Sequence, residues 1–177
     1  LDSNGMDYPK RMALDKEGNV YLTGDQFEGT NHTDFCTYKI DRNGNLKWHK
    51  SYSGGNQYPN ISNAIAVDNE DNVYISGNSN DTSFSNQIIT TIKYDSLGNQ
   101  LWRSRFTIFA TDDNNVNSIG LDNLHNLYVA GHAMDSSTQT SHLTTFRIGF
   151  NPIYVAEYNG NIISKITPAG SRSVYAG

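Results

Sequence analysis

The sequence predicts an all-β chain built from about three and a half copies of one four-stranded antiparallel unit. Three observations carry that expectation. First, a fourteen-residue pattern recurs around Asp15, Asp68 and Asp122, with Tyr21, Tyr74 and Tyr128 six residues beyond each, a period of 53 to 54 residues. Periods of this length, made of short apolar runs and polar turns, belong to repeat architectures. Second, turn residues recur every 8 to 12 positions, and no 11-residue window keeps a helical period. Third, the composition is 36% hydrophobic but 11% aromatic, which suits thin sheets packed through aromatic and β-branched side chains.

The central copy shows the expected unit. Asn63 to Val67 is a short apolar strand, and Asp68 to Asn72 is a polar turn. Val73 to Ser76 alternates with period two and closes at Gly77. Asn78 to Asn86 reads as a loose polar loop, Ile88 to Tyr94 as the third strand, and Asp95 to Asn99 as a hairpin turn. Leu101 to Phe106 is the fourth strand. The first copy repeats this with Phe35 to Ile40, the turn Asp41 to Asn45, and Leu46 to Tyr52. Trp48 and Trp102 stand 54 apart, and each has an aromatic four residues on, Tyr52 and Phe106, on one face of a strand. Leu1 to Gly5 reads as the tail of an earlier copy, and Met6 to Pro9 parallels Asn56 to Pro59.

The third copy begins regularly, Leu143 to Arg147 matching Ile89 to Lys93. The expected turn, Trp and fourth strand are then missing, and Asn151-Pro152 breaks the pattern. Ile153 to Gly170 reads as two strands around an Asn-Gly hairpin, with a last short strand at Ser173 to Ala176. Arg147 to Phe150 is an alternative first strand for this last unit.

Bulk properties exclude several functions. The net charge of −5 and the absence of a basic surface argue against nucleic acid. Arg103-Ser104-Arg105, the densest basic run, is expected on a solvated strand face. Nothing approaches 18 consecutive apolar residues, so no membrane span is expected. Cys36 is alone and reads as a small buried hydrophobe rather than a reactive thiol. The chain starts at Leu1 with no leader pattern, so either a leader has been removed or the chain is an excised piece of something longer, and the second is the expectation.

Candidate chemistry is sparse. The turns at Asp15, Asp68 and Asp122 are oxygen-rich, but five residues do not supply the alternating ligands of a twelve-residue calcium loop. Turn chemistry is the better reading. His32, His49, His125, His132 and His142 show no zinc-site spacing; His132 and His142 flank one loop. Asp112-Asp113 reads as a solvated pair. Asn31, Asn60 and Asn80 begin glycosylation-type triplets of a kind that an Asn/Ser/Thr-rich chain produces by chance. No catalytic, cofactor-binding or metal-ligating residue is therefore assigned.

Four-stranded units of 40 to 55 residues in series are β-propeller blades. Residues 6 to 150 resemble the SBBP (seven-bladed β-propeller) repeat family. The resemblance runs through Ala66-Val67-Asp68, Asn72-Val73-Tyr74-Ile75-Ser76-Gly77, Lys39-Ile40-Asp41, Gly44-Asn45, Trp48 and Tyr52-Ser53-Gly54-Gly55. Residues 153 to 177 look like an NHL repeat, through Tyr154 to Glu157, Asn161 to Ile163, Lys165-Ile166, Pro168 to Gly170 and Ala176-Gly177. The expected blades are about 6–55, 56–108 and 109–150, followed by a partial NHL-like blade at 151–177, in an incomplete or open propeller.

The first resemblance implies a non-enzymatic scaffold or interaction module of a secreted, periplasmic or surface bacterial protein, with a protein or carbohydrate partner. The second leaves open the alternative of a fragment of a metal-dependent lyase or lactone hydrolase. No cofactor is expected. Three and a half blades leave exposed faces and an open strand edge, so self-association through open blade edges is a further expectation.

Overall fold

A computed structural model describes residues 7–27, 33–54, 59–81, 84–106, 114–135, 140–148, 153–158, 162–166 and 172–176. The described residues hold fourteen strands: β1 Asp7–Leu14, β2 Val20–Phe27, β3 Thr33–Ile40, β4 Leu46–Tyr52, β5 Ile61–Val67, β6 Val73–Asp81, β7 Phe84–Tyr94, β8 Gln100–Phe106, β9 Asn114–Leu121, β10 Leu127–Asp135, β11 Thr140–Ile148, β12 Ile153–Tyr158, β13 Ile162–Ile166 and β14 Arg172–Ala176. They form antiparallel meanders, β1-β2-β3-β4, then β5-β6-β7-β8, then β9 to β14 in one six-stranded sheet. The all-β, four-stranded blade expected from the repeats is the fold, and the blades do not close into a ring.

The turns explain why the repeats fold alike. In each of five turns an Asp side chain accepts the backbone N–H groups two and four residues on, as Asp68 Oδ1 does from Glu70 and Asn72 at 2.9 Å. The Asn at the fourth position closes back on the same carboxylate, at 2.7 Å for Asn19 on Asp15 and Asn126 on Asp122. The residue before that Asn has positive φ: Gly18, Gly44 and Gly98 at 81 to 87°, Asp71 at 61° and His125 at 60°. Glycine takes this left-handed conformation without steric cost, and Asp and His pay for it here inside a fully hydrogen-bonded turn.

Each sheet buries one face against the next. Tyr21, Phe35, Trp48 and Tyr52 of the first sheet meet Val73, Ile75, Ile92 and Tyr94 of the second. Tyr74, Ile89 and Trp102, on the far side of the second sheet, meet Leu127, Val129 and Val116 of the third. Each large apolar side chain so removed from water contributes about 1.5–3 kcal/mol. The shared face expected for Trp48 and Tyr52 is seen in this first interface; the side chain of Phe106 lies outside the described residues.

The inner strands β1, β5 and β9 lie side by side, and each carries an irregularity in register, at Pro9/Arg11, at Ser62/Ala64 and opposite Ala130/Gly131. Gly24, Gly77 and Gly131 sit opposite these bulges. A Cβ there would lie 2.1, 2.1 and 1.9 Å from the carbonyl oxygens of Tyr8, Ile61 and Asn115.

Three expectations need correction. Asn78 to Asn86 is not a loose loop: β6 continues to Asp81, with Asn78, Ser79 and Asn80 buried, and β7 already begins at Phe84. Their polarity is absorbed by hydrogen bonds, Ser79 with Thr90 Oγ1 at 2.6 Å and Asn80 Nδ2 to the Pro59 carbonyl at 3.1 Å. Next, residues 151–177 are not a separate partial blade. Strand β12 pairs with β11 in the fourth-strand position, and β13 and β14 extend the same sheet, because the free N–H and C=O row of β11 accepts any adjacent extended segment. Arg147 and Ile148 accordingly end β11 rather than beginning a new unit. Finally, Pro9 occupies the register position of Ser62, both pairing with the strictly repeated glycine, rather than that of Pro59. Leu1 to Gly5 lies outside the described residues.

Candidate binding site

The repeat places equivalent residues on equivalent faces, so a face without a neighbour is recognisable. Among the described residues, the first sheet has such a face. Pro9, Met12, Leu14, Val20, Leu22, Tyr38, Ile40 and Leu46 share it by register. Met12, Leu14 and Leu46 are 58%, 57% and 50% exposed. In the second sheet the residues at the positions of Met12 and Leu14, Ile65 and Val67, pack into the interface core.

A cavity of about 450 Å³ opens in this face, walled by Pro9, Leu22, Tyr38, Ile40, Gly44 and Leu46. Asp7 marks its polar end. Tyr38 donates to Asp7 Oδ2 at 2.8 Å, while Asp7 Oδ1 is buried with no hydrogen-bond partner among the described residues. Tyr38 also stacks on His49, with ring centroids 4.4 Å apart. Such a site is chemically suited to a flat, partly apolar group carrying one hydrogen-bond donor. Cys36 lines the floor. Burial, with the carboxylates of Asp7 and Asp25 nearby, pushes its thiol up to about 12. It stays neutral and unreactive there, as its apolar sequence context suggested.

The glycine at the cavity mouth shows what fits. Gly98 is its counterpart in the second sheet, and a Cβ on Gly98 would touch the Trp48 ring at 3.0 Å. Trp48 Nε1 and Lys39 Nζ both donate to the adjacent Ser96 carbonyl, at 3.1 and 3.2 Å. A Cβ on Gly44 would meet nothing within 4 Å.

Other candidates from the sequence fall elsewhere. Asp68, Glu70 and His125 bring ligand atoms within 4.8 Å of one another. Asp68 Oδ2, however, already accepts from Asn72 and Tyr74 at 2.9 and 3.0 Å and faces Lys93 at 3.7 Å and His125 at 3.3 Å. Donors and a cation surround this carboxylate, an arrangement that holds an anion in place. His132 contacts Asn115 and Asn117; His32, Asn31 and Asp112-Asp113 lie outside the described residues, as does the side chain of His142. Asn60 and Asn80 are buried. Asn60 donates to Asp34 at 3.2 Å and takes the Asn80 N–H at 3.4 Å, so neither presents its amide to solvent. Arg103 and Arg105 are exposed, Arg103 lying 5.2 Å from the Tyr52 ring centroid.

No family model and no curated protein matches the chain. Among solved structures it is similar to a fucose lectin from Kordia zhangzhouensis in complex with methyl-fucoside. That likeness has 13% identity over 84% of this chain and 97% of the lectin, with a TM-score of 0.48. It is also similar to a virginiamycin B lyase from Staphylococcus aureus. There the identity is 10% over 98% of this chain and 70% of the lyase, with a TM-score of 0.38. No described helix exists to cross a membrane.

The repeated carboxylates bear on stability. For Asp68, burial raises the pKa, but the Asn72 side chain, the backbone N–H groups of Asn72 and Glu70, and His125 outweigh it and bring it down to about 2. For Asp122 the Asn126 side chain leads, and the value again falls to about 2. Asp15, Asp41 and Asp95 are lowered by the same turn hydrogen bonds. Groups depressed on folding stabilise fully above their unfolded value, near 4, and that contribution is lost as pH falls towards the folded value. Urea midpoints are therefore expected to be level above about pH 5 and to fall steeply between about pH 4 and 2. Asp41→Asn and Asp95→Asn together are expected to flatten the lower limb.

Proposed function

We propose that the chain is a non-enzymatic interaction module, and that its working surface is the uncovered face of the first sheet. The observation carrying this reading is the cavity of about 450 Å³, apolar at its walls and ended by Asp7 Oδ1, which has no partner among the described residues. A polypeptide partner is favoured over a glycan. The equivalent pocket wall at Gly98 is filled, within this chain, by an indole whose N–H donates to a turn carbonyl. An aromatic side chain with one donor is thus the group this surface is shaped to receive. The non-enzymatic reading is supported by the carboxylates of Asp15, Asp68 and Asp122, which already accept Asn N–H and Tyr O–H donors. Secretion or surface display in a bacterium remains part of the proposal through the repeat resemblance.

The test is photo-crosslinking. With p-benzoylphenylalanine in place of Leu46, irradiation in the native host is expected to give a polypeptide adduct, lost when Leu22→Asp is added. A glycan array probed with the purified chain provides the other arm. Retention of a sugar without any polypeptide adduct would transfer the site to carbohydrate. Neither adduct nor retained sugar would end the reading.

A further inference from the structure

We propose that the uncovered face of the first sheet is covered by the third sheet of a second copy, packed head to tail, so that two chains close one ring of six sheets. This rests on the reading of the cavity as a polypeptide site and names its occupant.

The argument is one of equivalence. Inside the chain, one face of each sheet always meets the opposite face of the next, first on second and second on third. Among the described residues two faces are left over, the Leu22–Tyr38 face of the first sheet and the Tyr128 face of the third. Tyr21 and Tyr74 are 0% and 2% exposed inside their interfaces, whereas Tyr128 at the same position is 38% exposed. All three tyrosines donate to the Asp of their own turn, so Tyr128 is already held in the pose of its buried counterparts.

The neighbouring positions agree. Lys39 lies 5.0 Å over the Tyr21 ring and Lys93 4.8 Å over Tyr74. Arg147 pairs with Tyr128 in register and so keeps a cation there. Beyond it, Tyr154 is opposite Arg147, the register position held by Trp48 opposite Lys39 and Trp102 opposite Lys93. An aromatic residue of β12 thus holds the register position of the Trp that the third repeat lacks. On the receiving side, the open space over Gly44 is where the Trp48 ring sits over Gly98.

The polar end matches as well. In the first internal interface Asn60 of β5 donates to Asp34 of β3. Asp7 stands at the position of Asn60, and His142 of β11 at the register position of Asp34. Register thus places a histidine where the internal interface has an aspartate, and an aspartate where it has an asparagine, an exchange on both sides that keeps the two positions complementary. One contact is not reproduced. Ser62 N donates to Asp25 at 3.1 Å and Val116 N to Asn78 at 3.2 Å, but Pro9 has no N–H to offer His132.

Geometry limits the number of copies. Propellers close with about four to eight blades. With three sheets among the described residues of this chain, two copies of it is the count that falls in that range. A face-to-opposite-face contact forms rings when its rotation closes and filaments when it does not.

The test uses the whole chain in sedimentation velocity over a wide concentration range. Twice the chain's mass is expected. Met12→Glu with Leu14→Glu alters only exposed side chains of the first face, and Tyr128→Arg keeps a donor beside Asp122. Each variant alone is expected to sediment as a monomer with an unchanged far-ultraviolet spectrum and at least a hundredfold weaker self-association. Mixed in equal amounts they retain one intact pair of faces, and a dimer should return. A monomeric wild type, a dimer that survives both variants, or variants that fail to pair on mixing would each overturn the proposal. A Leu46 crosslink to a different polypeptide, with a monomeric wild type, would overturn it while leaving the interaction-module reading in place.

Discussion

Gly77→Ala is expected to be the most damaging conservative change in the chain, costing roughly 3 kcal/mol or more. The new methyl would lie 2.1 Å from the Ile61 carbonyl oxygen and 2.8 Å from the Ser62 Cα, both backbone, with the Phe35 ring at 2.9 Å on the neighbouring sheet. Backbone cannot swing aside as a flexible side chain can, so β5 must leave its bulged register. Ser62 would move with it, and with Ser62 two contacts between sheets, its N–H to Asp25 and its hydroxyl to the Gly24 carbonyl at 2.7 Å. The measurement is a urea melt with the slope compared. The midpoint should drop sharply. Gly120→Ala is the control, since a Cβ there meets nothing within 4 Å. It should lie within about 0.5 kcal/mol of the parent.

Trp48→Ala should cost about 2–4 kcal/mol, below the range for a fully buried Trp because the indole is only partly buried. Trp48 ties the first two sheets by three means. Its ring lies 6.0 Å from Tyr21 and 6.1 Å from Tyr94, its indole N–H reaches the Ser96 carbonyl, and its face covers Gly98. Trp48→Phe keeps part of the packing and loses the hydrogen bond, so it should fall between parent and Ala. Stability from chemical denaturation orders the three. Equal stability of Ala and Phe variants would mean that the ring does not pack as described.

The elements most visible in the sequence are those in which a local hydrogen-bond pattern and a residue pattern coincide. Asp15, Asp68 and Asp122 announce their turns because a carboxylate, an Asn four residues on and a Tyr six residues on are all consumed locally. The turn chemistry of these segments was readable for the same reason. What was hidden depends on partners distant in the chain. Asn78, Ser79 and Asn80 look like loop residues because nothing nearby says that Asn114, Thr90 and Pro59 will satisfy them. The bulges were hidden too, although glycine recurring at 24, 77 and 131 signals a close backbone approach as well as a strand end. The fourth strand of the third sheet was missed because its usual mark is Trp, and Tyr154 brings a different sequence context to the same register position. The uncovered face was legible only as a count of blades; which residues form it, and that it holds a cavity, required the register of β1 to β4.

Nuclear Overhauser contacts from the Trp48 indole ring probe the stacking of successive repeat faces most directly. Cross-peaks to the Gly98 α-protons and to the Tyr94 ring, 50 and 46 residues away in sequence, are the predicted result. An indole that shows contacts only within its own sheet, to β3 and Tyr21, would contradict the account.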